Sequence, residues 1–267
     1  MFDIKPYQSY IELDKPIPYF TRKNQVIELY PVLLKDAYDF LNCYNILTID
    51  KNTVGNIEII QSSYLQFLLQ VVLGKDLFGK VEKHSVQYWQ FITVMRLCFK
   101  LDIKDAEQLK ITVNDKGKFL LIVKGIEINY KDFDNIIQLI QYQNIYNYED
   151  ESELNPDFKK AVDEYYALRN KGQEPLTLER KMSIVSAHNG MLKKDLLEMT
   201  YYSFEALFNS VVQQIDYVVN KNFEANFKAN GGKLKEPIEH FAYRNKKSRY
   251  ANAFVNKRSI EKGFKNS

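Results

Sequence analysis

The chain has 267 residues, 45% of them hydrophobic and 27% charged, which is enough apolar material for one large domain or two smaller ones and excludes a disordered polymer. Its net charge of +3 hides an asymmetry: from Arg244 onward eight basic residues face one acid, Glu261, so the tail carries +7 and residues 1–243 carry −4. The start "MFDIKPYQSY" has neither a basic nor an apolar signal region, and runs such as "FLLQVVLG" are too short for a membrane span, so a soluble, intracellular protein is expected.

Residues 1–30 hold Pro6, Pro16 and Pro18 and alternate apolar positions in "QVIELYPV"; they predict extended structure with a short strand near Val26–Leu29, and no helix. "PVLLKDAYDFLNCYNIL" predicts a helix with the stripe Leu33, Leu34, Ala37, Phe40, Leu41 and Tyr44, and Pro31 near its start. "NIEIIQSSYLQFLLQVVLG" predicts a second helix stopped by Gly74. "SVQYWQFITVMRLCFKL" predicts a third, apolar enough to be mostly buried.

At Leu109 the period changes. "LKITVN-DKG-KFLLIV-KG-IEINY" predicts three short strands whose turns use Gly117 and Gly125 for positive φ. "KDFDNIIQLIQYQN" predicts the helix that covers them, capped by Asp132 or Asp134, with Ile136, Ile137, Leu139 and Ile140 along it. The acidic stretch at 149–155 is expected to be an exposed linker.

"PDFKKAVDEYYALRNKGQ" predicts a helix from Pro156-Asp157 to near Gly172. "PLTLERKMSIVSAHNG" leads to a corner at Gly190, with an apolar helix from Ile184 to His188 before it and a restart at Lys193. "TYYSFEALFNSVVQQIDYVVNKNFEANFK" predicts a long helix with Thr200 as N-cap and Gly231-Gly232 as its end. The plan is a mostly α-helical α+β protein: residues 1–148 form a helical part with a three-stranded antiparallel meander and covering helix, 149–155 a linker, 156–243 a helical bundle and 244–267 a basic tail.

Sites of chemistry are hard to find. His84, His188 and His240 lack neighbours at metal-ligand spacing, Cys43 and Cys98 sit far apart in apolar surroundings as free thiols of a reducing compartment, and "LGKDLFGK" lacks P-loop spacing. The carboxylates of "YEDESE" lie in a polar linker without calcium-loop glycine geometry. No enzyme, no metal and no cofactor are expected.

The corner admits two readings. Ser186, Gly190, Leu196 and Met199 have helix-turn-helix spacing, but Asn189 replaces the apolar residue before the glycine. The second helix offers Lys193 and Lys194 with Asp195 and Glu198, a poor face for a polyanion. A bundle corner is preferred, because Leu192, Leu196, Met199, Phe204, Leu207, Phe208, Val211, Ile215 and Val218 continue one apolar face. The tail reads as a solvated terminus, a docking arm or a nonspecific nucleic-acid contact, with Phe241, Tyr243, Tyr250 and Phe254 set among its charges.

Ile128 to Tyr243 carries "INYKDFDNIIQLIQYQN", "NPDFKKAVDEY", "LERKMSIVSAHNGMLKKDLLEMTYYSFEALFNSVVQQIDYVVN" and "KEPIEHFAY"; the N-terminal part carries "YPVLLKDAYDFLNCYNILTIDKN". These segments resemble the tail assembly chaperones of tailed bacteriophages of low-GC bacteria, in which a "DFD…I…QN" helix follows a small sheet and a "G…L..MT...F..L" corner leads into a long helix. The resemblance implies a virus-encoded protein of the bacterial host cytoplasm that binds a phage tail protein, tape measure or tube subunit, and keeps the tape-measure protein soluble during tail-tube assembly. It needs no cofactor; a homo-oligomer is possible, while nucleic acid and membrane are not the expected partners. Such a protein needs apolar surface for a client helix. The candidate partner contacts are Leu192, Leu196, Met199, Tyr201, Tyr202, Phe204 and Phe208, with Arg244, Lys246, Lys247, Arg249, Lys257 and Arg258 as tail contacts. Two alternatives stay open: a tail, baseplate or connector subunit of the virion, and a helix-turn-helix DNA-binding regulator.

Overall fold

The computed structural model describes residues 3–49, 51, 56–72, 86–102, 108–114, 117–149, 156–169, 171–172, 174–232 and 238–243. The protein is mostly helical α+β, with a two-stranded and a three-stranded antiparallel sheet. It divides into two compact units: Met1–Tyr148 with Leu192–Ala206, and Glu149–Met191 with Leu207–Ser267.

The first unit opens with a correction. A 3-10 turn at Lys5–Tyr7 runs into the helix α1 (Gln8–Glu12), where the sequence predicts extended structure and no helix. Pro6 sits in the first turn, where a backbone N–H has no helical acceptor and a fixed φ is already suitable. Strands β1 (Ile17–Phe20) and β2 (Val26–Leu29) then pair in register Ile17↔Leu29 through Phe20↔Val26. Pro18, opposite Glu28, is tolerated because a two-stranded sheet consists of edges. Ile17, Tyr19, Ile27 and Leu29 are buried.

A 3-10 turn at Leu34–Asp36 leads into α2 (Ala37–Tyr44), which buries Ala37 and Phe40. Leu33 does not join the expected helical stripe; its backbone is extended and bridges Thr200. The helix expected from "NIEIIQSSYLQFLLQVVLG" is broken into α3 (Ile57–Gln61) and α4 (Tyr64–Phe67), the latter continuing as a π-turn at Leu68–Val72. The cause is chemical: Ser62 and Ser63 are both extended, and the Ser63 hydroxyl caps α4 by accepting the Gln66 N–H. Gly74 lies outside the described residues.

Helix α5 (Val86–Phe99) buries Phe91, Val94, Met95, Cys98 and Phe99. Its first turn is the exception to the expected burial, with Val86 and Trp89 exposed. The meander β3 (Leu109–Val113), β4 (Phe119–Val123) and β5 (Ile126–Ile128) forms as predicted, except that β5 stops two residues early where Asn129 and Tyr130 begin the next helix, and Gly117 and Gly125 adopt φ +71 and +79 at its turns. Helix α6 (Tyr130–Asn144) covers it with Phe133, Ile136, Ile137, Leu139 and Ile140. Each fully buried side chain of this size contributes about 1.5–3 kcal/mol.

Neither Asp132 nor Asp134 caps α6. Asn129 does, its oxygen accepting the N–H groups of Lys131 and Asp132. Asp132 is instead a buried acceptor that gathers the Tyr19 hydroxyl at 3.0 Å, the Arg22 N–H at 3.2 Å and the Asn129 amide at 2.6 Å. At the other end of the helix Gln143 donates to the Lys15 and Leu29 carbonyls, both at 3.2 Å, and Asn144 accepts the Val32 N–H at 2.7 Å. The polar residues of the "DFD…QN" pattern therefore fasten the N-terminal hairpin to the covering helix.

In the second unit, α7 (Pro156–Arg169) buries Val162 and α8 (Leu178–Asn189) buries Leu178 and Val185. Thr177 caps α8, which is longer than the Ile184–His188 segment expected before the corner. The helix α9 (Lys193–Leu197) belongs to the first unit, and α10 (Tyr201–Ala229) passes from the first unit into the second. Among the described residues no helix is long and apolar enough to cross a membrane.

Candidate protein-binding surface

The glycine at the corner has a backbone explanation. Gly190 adopts φ +69 and its N–H reaches the Ser186 carbonyl at 2.9 Å, the single bond that closes a helix through a left-handed residue. The Ser186 hydroxyl donates to the Met191 carbonyl at 2.6 Å and holds the turn from within.

Downstream of the corner, residues 198–203 are sewn into the first unit. The Leu34 N–H donates to the Met199 carbonyl and the Tyr201 N–H to the Val32 carbonyl, each at 2.8 Å. Thr200 caps α10, as expected, by accepting the Ser203 N–H at 3.1 Å. The hydroxyls of Thr200 and Ser203 both donate to the Asp14 carboxylate, at 2.6 and 2.8 Å. Lys35 and Glu198 form an exposed ion pair at 3.0 Å.

These contacts decide where the predicted partner residues lie. Leu196, Tyr201 and Phe204 are buried; burial, with Glu205 beside it, pushes the Tyr201 hydroxyl well above its ordinary pKa. Met199, Tyr202 and Phe208 are half-buried, Tyr202 edge-on to Tyr146 with centroids 5.6 Å apart and Phe208 beneath the Lys181 ammonium. Of the seven, Leu192 alone is exposed. Met199 lines a cavity of about 260 Å³ with Asp14, Tyr30, Lys100, Glu198 and Thr200. That is smaller than the roughly 300–1,000 Å³ of small-molecule sites and offers no groove for a helix. The tail positions Arg244, Lys246, Lys247, Arg249, Lys257 and Arg258 lie outside the described residues.

The surface that stands open is farther along α10, entirely within the second unit. Val211 is buried, but Ile215, Val218, Val219, Phe223 and Phe227 are 40–61% exposed, so of the apolar face read from the sequence Ile215 and Val218 are open to solvent. Ile215, Val219, Phe223 and Phe227 recur every four residues and form one continuous ridge. The Phe223 and Phe227 rings stack at 5.9 Å and 14°. Beside the ridge, Val218, Asn222 and Asn226 form a shallower row. At about 150–250 Å² for a whole aromatic side chain and less for valine, the ridge and Val218 present on the order of 400 Å² of apolar surface.

Asp216 borders the ridge, whereas Lys221, Glu224 and Lys228 lie on the other face. Glu224 is nearly buried between Lys221, three residues before it at 2.9 Å, and Lys228, four after it at 2.6 Å. Hydrogen bonds from the two ammonium groups, Lys228 first, bring its pKa down to about 2. On that face Tyr217 also meets the returning chain, with its ring 4.7 Å from His240 and 6.0 Å from Phe241. Two glycines close the helix: the Gly231 N–H reaches Lys228 and the Gly232 N–H reaches Phe227, with Gly231 at φ +80.

Helix length and residue spacing mark this surface in the sequence. At about 1.5 Å per residue a 29-residue helix is more than twice as long as the 12-residue α8, whose Lys181 and His188 reach it at Phe208 and Gln214, so its far end extends beyond that neighbour. Val219, Phe223 and Phe227 complete the four-residue recurrence that begins at Ile215.

Among the described residues no three His, Cys, Asp or Glu side chains converge as metal ligands. The chain matches no family model, no curated protein and no solved structure.

Proposed function

We propose that this chain is a protein-binding assembly factor, encoded by a tailed bacteriophage, that holds a helical segment of a tail protein on the ridge of α10. The observation that carries the reading is the open apolar ridge Ile215–Val219–Phe223–Phe227. A monomer rarely leaves a contiguous apolar patch of a few hundred Å² uncovered unless it serves recognition. The four-residue recurrence suits a helix laid into a groove, where shape and apolar area give affinity without charge pairing. The tail-chaperone resemblance of residues 128–243 supplies the kind of client, a tape-measure or tube protein.

DNA reading is less well supported. Helix α9 spans five residues, and its exposed side chains mix Lys193 and Lys194 with Asp195, while Leu196 points into the first unit's interior. A recognition helix needs several base-reaching side chains on one face and cations that neutralise phosphates.

The test is a pull-down of the tagged full-length protein from phage-producing cells, with and without nuclease, read by mass spectrometry. The expected result is a tail protein captured in both samples by wild type and lost with Val219→Glu. Partners that vanish with nuclease would overturn the proposal in favour of a nucleic-acid binder. Presence of the chain at fixed stoichiometry in purified particles would overturn it in favour of a connector subunit.

A further inference from the structure

We draw no further inference here: the strongest candidate, the open apolar face of α10 formed by Ile215, Val219, Phe223 and Phe227, is the surface on which the proposed function already rests, and nothing in the structure shows what else covers it.

Discussion

The backbone N–H of Val32 donates to the side-chain oxygen of Asn144 at 2.7 Å, while the Asn144 amide donates to the Ile140 carbonyl at 2.9 Å. Asn144 is fully buried, so each of these groups has exchanged water for one protein partner. Asn144→Ala leaves the Val32 N–H without that acceptor and is expected to lower stability by about 1–3 kcal/mol. Urea unfolding should show a lower midpoint with an unchanged slope. Asn222→Ala, on the exposed face of α10, should move the midpoint by less than about 0.5 kcal/mol.

Tyr19 joins the hairpin to α6, donating to Asp132 at 3.0 Å and accepting the Asn135 amide at 3.1 Å. Burial, reinforced by Asp132, raises its pKa to about 12 from an ordinary 10.0. The folded state thus holds this proton more tightly than the unfolded chain. Its contribution is complete below pH 10 and is lost as pH rises towards 12. Tyr19→Phe should cost about 1.5 kcal/mol at neutral pH and flatten the alkaline fall in stability, read by urea unfolding at stepped pH.

Glu224 behaves in the opposite sense. With its pKa depressed to about 2 from an ordinary 4.5, the lysine clamp is fully formed above pH 4.5 and is lost as pH falls through about 2. Helical content of α10 is expected to decline over that acid window. Glu224→Gln should remove this component of the decline, as followed by circular dichroism.

The glycine pair that ends α10 has two distinct requirements. Gly231 needs its positive φ, so Gly231→Ala is expected to cost about 1 kcal/mol. Gly232 needs space: a Cβ there would stand 2.4 Å from the Phe227 ring. Gly232→Ala must therefore displace that ring. Hydrogen exchange over the last turn of α10 should accelerate in both variants, and only Gly232→Ala should disturb the Phe223–Phe227 stack.

The meander was legible because its period of two, glycine turns and apolar strands all pointed the same way. The Thr200 cap was legible for the same reason: one local rule sufficed. What the chain concealed depends on distant partners. Ser62 and Ser63 read as ordinary residues within a helical pattern, until both turn extended and Ser63 caps its own short helix. Asp132 reads as a cap because carboxylates favour first turns, yet Asn129 lies in the capping position and Tyr19, 113 residues away, claims the carboxylate. The partner residues at the corner share an apolar spacing, which marks a face without saying whether protein or solvent lies against it. Leu196 and Phe204 meet protein; Val219 and Phe223 meet solvent.

The bonds from Gln143 and Asn144 to Lys15, Leu29 and Val32 also set an order of events on the ribosome. At about 5–20 residues per second, the N-terminal hairpin emerges many seconds before α6 is made, with those carbonyls and that N–H still turned to water. Asp14 waits longer, until Thr200 and Ser203 emerge. Residues 149–191 are synthesised in between, although they belong to the second unit. The first unit is thus begun first and finished late, and its completion requires the closure of a long loop as well as local helix formation.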